Sequence, residues 1–132
     1  MGRASRVSVL HILGIALGGL GDQERAIAVL RESLRTCREM GVKPGMVSGL
    51  EGVAGIYSGI GQAEQAVRLY GAAAKMREEI GIPLPASERL SHESHLTVTR
   101  AECGEDVWQA AWDQGQAMSL EQAIAYALEE NA

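Results

Sequence analysis

Three histidines, two cysteines and a dense run of glycines are the residues of this 132-residue chain whose types and spacing suggest chemistry. His92 and His95 lie three apart, so on a helix they share a face with Glu88 or Glu93 and could begin a metal site. A zinc centre needs three or four converging ligands, and the next candidate, Cys103, lies two to three helical turns on, at 3.6 residues per turn. No metal is expected. Gly14, Gly18, Gly19 and Gly21 resemble a phosphate-cradling loop. A P-loop, however, continues with Lys and Ser or Thr, whereas Asp22 follows here, and a dinucleotide-binding turn needs a preceding strand. These glycines, with Gly49, Gly52, Gly55 and Gly59, read as places where helices approach closely. Each costs about 1 kcal/mol against Ala within a helix, so something must use the space. Cys37 has Arg35 and Arg38 nearby, which would favour its thiolate, but it falls on an apolar stripe and reads as a buried thiol. Trp108 and Trp112, four apart, read as core. No Ser-His-Asp or Cys-His arrangement is suggested by local spacing, and no paired carboxylates stand in a cleft-forming context. Neither an enzyme nor a cofactor is expected.

The elements that carry these residues must be helical. A 46% apolar and 22% charged composition is that of a folded globular domain. The net charge of −5 lacks the basic face that phosphate neutralisation requires, so direct nucleic-acid binding is not expected. All 12 Lys and Arg precede residue 101, and the stretch after Arg100 holds seven acids. Two cysteines cannot build a disulfide framework, which suits a reducing cytoplasm. Arg3 and Arg6 before the apolar run Val7 to Leu20 imitate a signal peptide. His11 interrupts that run and no clear small-x-small cleavage site follows. It also falls short of the ~20 apolar residues a membrane span needs.

Self-similarity is the strongest signal in the chain. At an offset of 40 residues, Leu10, Gly14, Leu17, Leu20, Gly21, Glu24, Ala26, Leu30, Glu39 and Gly41 align with Leu50, Ala54, Tyr57, Ile60, Gly61, Glu64, Ala66, Tyr70, Glu79 and Gly81. Each unit reads helix, glycine turn, helix, glycine stop. The first helix presents Leu10, Leu13, Leu17 and Leu20 on one face; the second, about 23–40, presents Ala26, Val29, Leu30, Leu34 and Cys37. The third, about 45–60, presents Met46, Leu50, Val53, Tyr57 and Ile60, and the fourth, about 63–80, presents Ala66, Leu69, Tyr70, Ala73 and Ile80. Pro83 and Pro85 mark a break. A fifth helix, about 87–103, has a weak face of His92, Leu96, Thr99 and Cys103. A sixth, about 105–116, turns Val107, Trp108, Ala111, Trp112 and Gly115 inward. Ser119 and Gln122 form a capping box for a seventh, running to about 130. The expected fold is therefore all-α, one domain over 1–132 with about seven helices. Repeat 1 covers about 5–41 and repeat 2 about 45–81, followed by a degenerate third hairpin and capping helix at about 86–131.

These units resemble tetratricopeptide repeats. Gly14, Leu17, Gly21, Ala26 and Leu30, and again Ala54, Tyr57, Gly61, Ala66 and Tyr70, occupy that family's small and large positions. The resemblance implies a right-handed stack of antiparallel helix pairs. A more specific resemblance lies in Leu69-Tyr-Gly-Ala-Ala-Ala74, Arg77-Glu-Glu-Ile-Gly-Ile-Pro-Leu-Pro85, Trp112 with Gly115, and Ser119-Leu-Glu-Gln-Ala-Ile124. Over roughly 8–130 the chain is similar to the carboxyl-terminal repeats of bacterial STAND-type signalling ATPases, including LuxR-type transcription regulators and relatives fused to nucleotide cyclases. His92, Thr99 and Cys103 stand where such proteins carry larger apolar residues, which implies a looser fifth helix. Neither the ATPase module nor the DNA-binding helices of those regulators lie within these residues.

The resemblance implies a concave groove lined by the first helix of each pair. That assigns Ser8, His11, Ile15 and Gly18, then Ser48, Glu51, Gly55 and Ser58, to a small, nearly neutral surface suited to a protein or peptide partner. The implied function is a non-catalytic interaction or sensor module of a larger regulator, whose other domains are candidate partners. A small-molecule-binding regulatory domain using His11, Glu51, Tyr57 or the Trp pair is the alternative. Ile12 and Ile15 point away from the 10-13-17 face, too many large apolar residues for one stripe, so the first helix is expected to self-associate as a homodimer. In the competing arrangement the fifth to seventh helices fold back over it.

Overall fold

Glycine sets where the chain turns. Gly21, Gly41, Gly61 and Gly81 all hold positive φ, between 70° and 86°, a conformation that costs a side chain but not a hydrogen atom. The computed structural model describes residues 2–129, without the side chains of residues 3–5 and 8. Among them are seven helices and no strand: α1 (Arg3–Gly19), α2 (Gln23–Met40), α3 (Lys43–Gly59), α4 (Ala63–Ile80), α5 (Ala86–Cys103), α6 (Glu105–Gln116) and α7 (Leu120–Ala127). Pro44 sits in the first turn of α3, where its missing N–H is not needed. Connections of two or three residues join α1 through α4, so each helix runs back along the one before.

The core lies between these four helices, where Leu30, Leu34, Val47, Leu50, Val53 and Leu69 are fully buried. Two of the glycines singled out above are seats for α2. A Cβ at Gly14 would stand 2.5 Å from Leu30 Cγ, and one at Gly52 would stand 3.3 Å from the same side chain. They allow close packing and are not a phosphate loop, since Gly14, Gly18 and Gly19 all lie within α1.

One face is corrected by the structure. Leu13 and Leu20 do not turn inward with Leu10 and Leu17; they are 43% and 84% exposed. Because Gly14 admits Leu30, α1 presents its glycine edge to α2, and the inward stripe becomes Val7, Leu10, Gly14 and Leu17. Ile60 and Val107, also read as inward, are exposed at helix ends.

The third hairpin departs from the first two. α6, rather than α5, takes the intimate contact on α4. A Cβ on Gly115 would run into the Arg68 carbonyl, and one on Gly71 would stand 2.7 Å from the Trp112 carbonyl oxygen, so these helices meet backbone to backbone. Gln116 Nε2 donates to the Gly71 carbonyl at 2.6 Å across the same seam. Trp108 packs on Val67 and Ala111, stacked with Trp112 at 5.5 Å. α5 has no such surface: Leu90 and Val98 face solvent, and Thr99 is its one buried residue among those described.

The capping box forms, with Ser119 N–H donating to Gln122 and Gln122 N–H donating to Ser119 Oγ. Ala123, Ile124, Ala127 and Leu128 then close the core against α3 and α4. Two arginines hold α7 in place. Arg31 donates to the Ala127 carbonyl at 2.9 Å and to the Tyr57 hydroxyl at 2.8 Å, while Arg68 donates to Tyr126 at 3.1 Å.

Candidate functional site

α3 is a nearly uncharged helix, and its one internal charge, Glu51, marks the site. Its carboxylate receives Arg77 Nε at 2.7 Å and Nη2 at 2.6 Å, a two-pronged pair with both side chains near 12% exposure. The pairing and hydrogen bonding raise the Arg77 pKa further, so the cation is permanent. Its third contact, Nη1 to the Ile82 carbonyl at 3.1 Å, fixes the connection from α4 to α5.

Two histidines flank this pair. His11, on α1, rests against Gly52 of α3. Burial lowers its pKa, against the opposing pull of the Glu88 and Glu51 carboxylates. His92, on α5, meets the Tyr70 ring edge-on at 5.3 Å. Burial lowers its pKa too; Arg77 and His95 add to the effect, while Glu51 and Glu93 oppose it. The Tyr70 hydroxyl is pushed up by burial and by Glu51, so it stays protonated. At neutral pH both imidazoles are therefore uncharged, each with one donor and one acceptor nitrogen.

The groove residues inferred from the repeat pattern separate into three situations. His11 and Ser48 share an open pocket of about 290 Å³ with Val7, Ile12, Ser33 and Gly45. Glu51 is occupied by Arg77. Ser58 is covered by α5: its hydroxyl lies 2.7 Å from Thr99 Oγ1, and because Thr99 donates to the His95 carbonyl, Ser58 is the donor. Ile15 is half-exposed outside the pocket lining, and the side chain of Ser8 lies outside the described residues. Of the other residues weighed for binding, Tyr57 ties α3 to α2 through Arg31, and the Trp pair, on α6, packs in the cluster around Val67 of α4.

Arg77, Tyr70 and His92 complete the site, and spacing alone did not reveal them together. The signal for Arg77 was a lone carboxylate on an apolar helix, which calls for a buried counter-charge. The arrangement can recognise, through hydroxyls, neutral imidazole and a neutralised ion pair. Cys37 is a buried thiol whose pKa is raised by that burial, the opposite of an activated nucleophile. Among the described residues no three His, Cys, Asp or Glu side chains converge on a point.

The fold that carries these residues is all-helical, with seven helices among the described residues. Over 122 residues the chain is 30% identical to an HTH-type transcriptional regulator of Mycobacterium bovis and to two of Mycobacterium tuberculosis, all provisionally so named. The match takes in 92% of this chain and 14% of each regulator, so the chain spans about one seventh of the length of the curated relatives it matches. No family model matches it, and no solved structure matches it. Among the described residues no helix is long and apolar enough to cross a membrane.

Proposed function

We propose that this chain is a non-catalytic, tetratricopeptide-like interaction module of the kind that forms the sensor end of STAND-type or LuxR-type bacterial regulators, and that it acts in the cytoplasm. The observation that carries the reading is the match of 92% of this chain to 14% of much longer transcriptional regulators. A segment of that size, with no catalytic constellation among the described residues, is suited to serve a larger protein by binding. The groove between α1 and α3 is the receiving surface, with His11 and Ser48 offering hydrogen bonds to a polypeptide segment and the Glu51–Arg77 pair holding its floor. The partner is a protein or peptide, including other domains of a parent regulator.

The pocket beside His11 supports a second reading, a small-molecule-binding regulatory domain, since about 290 Å³ sits at the lower edge of ligand-pocket sizes. The two readings separate in one paired experiment using the wild type and Ser48→Trp, which fills the pocket. Recovery of a protein partner by wild-type bait and its loss with Ser48→Trp is the expected result. A metabolite that raises the wild-type melting temperature by several degrees but not that of Ser48→Trp, with no protein recovered, replaces the first reading by the second.

A further inference from the structure

Val9, Leu13, Ala16 and Leu20 form a stripe on α1 with 4-3-4 spacing, the seam of a helix that packs on another helix. Ile12 lies beside it. Nothing described in the structure covers the stripe: Val9 is 50% exposed, Ile12 68%, Leu13 43% and Leu20 84%. Forty residues later the equivalent positions are Gly49, Val53, Ile56 and Ile60, with Gly52 beside them. In α3 that same face is closed by α2, whose Leu34 and Leu30 enter at Gly49 and Gly52. Apart from Ile60 at its end, the second repeat thus buries the face the first repeat exposes.

The two faces differ in shape, and the difference selects the occupant. α1 has large residues, Val9 and Ile12, where α3 has its glycine notches, and small Ala16 where α3 has Ile56. A helix carrying leucines like those of α2 collides with α1, because its ridge has no notch to enter. A complementary helix must be small where α1 is large. α1 run antiparallel to itself meets this requirement at its centre, setting Ala16 against Leu13, and brings Leu20 and Val9 into apolar contact at the two ends.

Charge agrees with that direction. α1 carries no acidic residue; Arg6 stands at its start, and Asp22 and Glu24 follow its end. An antiparallel pair opposes the two helix dipoles and brings each Arg6, which pairs with Glu32 in its own chain, level with the connection of the other copy, where Asp22 pairs with Arg25. Covering the exposed aliphatic groups on both copies removes on the order of 1,000 Å² from water, the lower bound of a specific interface.

We propose that α1 is a homodimerisation helix, pairing antiparallel about a two-fold axis between Leu13 and Ala16. Ile12 also lines the pocket beside His11, so this pairing and the groove share one side chain, while Val9, Leu13, Ala16 and Leu20 lie outside the pocket lining.

Light scattering on the full chain at about 50 µM, a concentration suited to a micromolar interface of this size, should report twice the 14.0 kDa chain mass. The Ile12→Lys, Leu20→Lys double variant should report the single mass with unchanged helicity. In a Cys103→Ser background, oxidation should cross-link a mixture of Val9→Cys and Leu20→Cys chains, while Leu20→Cys alone stays uncross-linked. A single-mass wild type overturns the proposal and leaves the stripe to a different helix. A dimer unaffected by the lysines, or Leu20→Cys chains that cross-link to themselves, overturns the interface or its direction.

Discussion

The two ends of the helix stack handle an exposed apolar face in opposite ways. At the α4 end, α6 lies backbone to backbone on its neighbour through Gly71 and Gly115, and α7 seals the core with Ile124 and Leu128. At the α1 end, five of the large aliphatic residues, Val9, Ile12, Leu13, Ile15 and Leu20, are exposed. The contrast teaches that small residues mark where a helix is already covered. Large residues at the equivalent positions of α1 stay exposed, and it is there that we propose a second copy packs. α5 sits between these cases, held by a hydroxyl pair, an aromatic edge and the partly buried Leu96 and Cys103.

The sharpest way to break the sealed end is Gly115→Val. Its added carbons meet the Arg68 carbonyl, which belongs to helix backbone and cannot rotate away. Overpacking commonly costs about 1–3 kcal/mol and more where backbone must shift, so a loss of about 3 kcal/mol or more is expected in urea unfolding. An unchanged midpoint would place α6 elsewhere.

Next in size is the link between groove and seal. Glu51→Ala strips Arg77 of its carboxylate in a setting where both are close to 12% exposed. Breaking a buried pair from one side costs about 3–5 kcal/mol, and residual solvent access puts the expected loss near 2–3 kcal/mol, read by the same unfolding curves. Arg77 also holds the Ile82 carbonyl, so hydrogen exchange should quicken in the α4–α5 connection before it does in α1.

Helix boundaries were legible because each repeat ends in a glycine that takes positive φ, and because Ser119 and Gln122 state a cap in the sequence itself. The faces of α2, α3 and α4 were legible because each carries a dominant apolar stripe. α1 carries two, and periodicity cannot say which one α2 takes; Gly14, a contact rather than a period, decides it. Of the candidate site, the resemblance to tetratricopeptide repeats assigned His11, Ser48 and Glu51 to the groove. Arg77 and His92 come from other helices, and no local spacing encodes that meeting. Nor did the sequence show that α6 would displace α5 on α4, which follows from where Gly71 and Gly115 coincide in space.

A milder perturbation compares the two histidines across the groove. Both have pKa values below the ordinary 6.5, with burial as the main cause. Between the folded value and 6.5 the unfolded chain binds the proton that the folded chain refuses. Stability is therefore complete above pH 6.5 and declines as pH falls through the lower folded values. Melting temperatures at pH 7.5 and 5.5 should differ less in His11→Gln and in His92→Gln than in the wild type. An unaltered difference in both variants would assign the acid sensitivity to other groups.

The smallest expected effect tests the open end. Ile12 and Leu20, at 68% and 84% exposure, make few contacts within one copy, so replacing either by Lys removes little packing. Surface changes away from structural features fall within about 0.5 kcal/mol, and a helix tolerates Lys well. The unfolding free energy of Ile12→Lys and Leu20→Lys should match the wild type at sub-micromolar concentration, where two copies are apart. At high concentration the wild type alone should gain stability, because association favours the folded state by mass action. A loss of several kcal/mol at low concentration would mean that these side chains are covered within the single chain, and the contrast between the two ends would disappear.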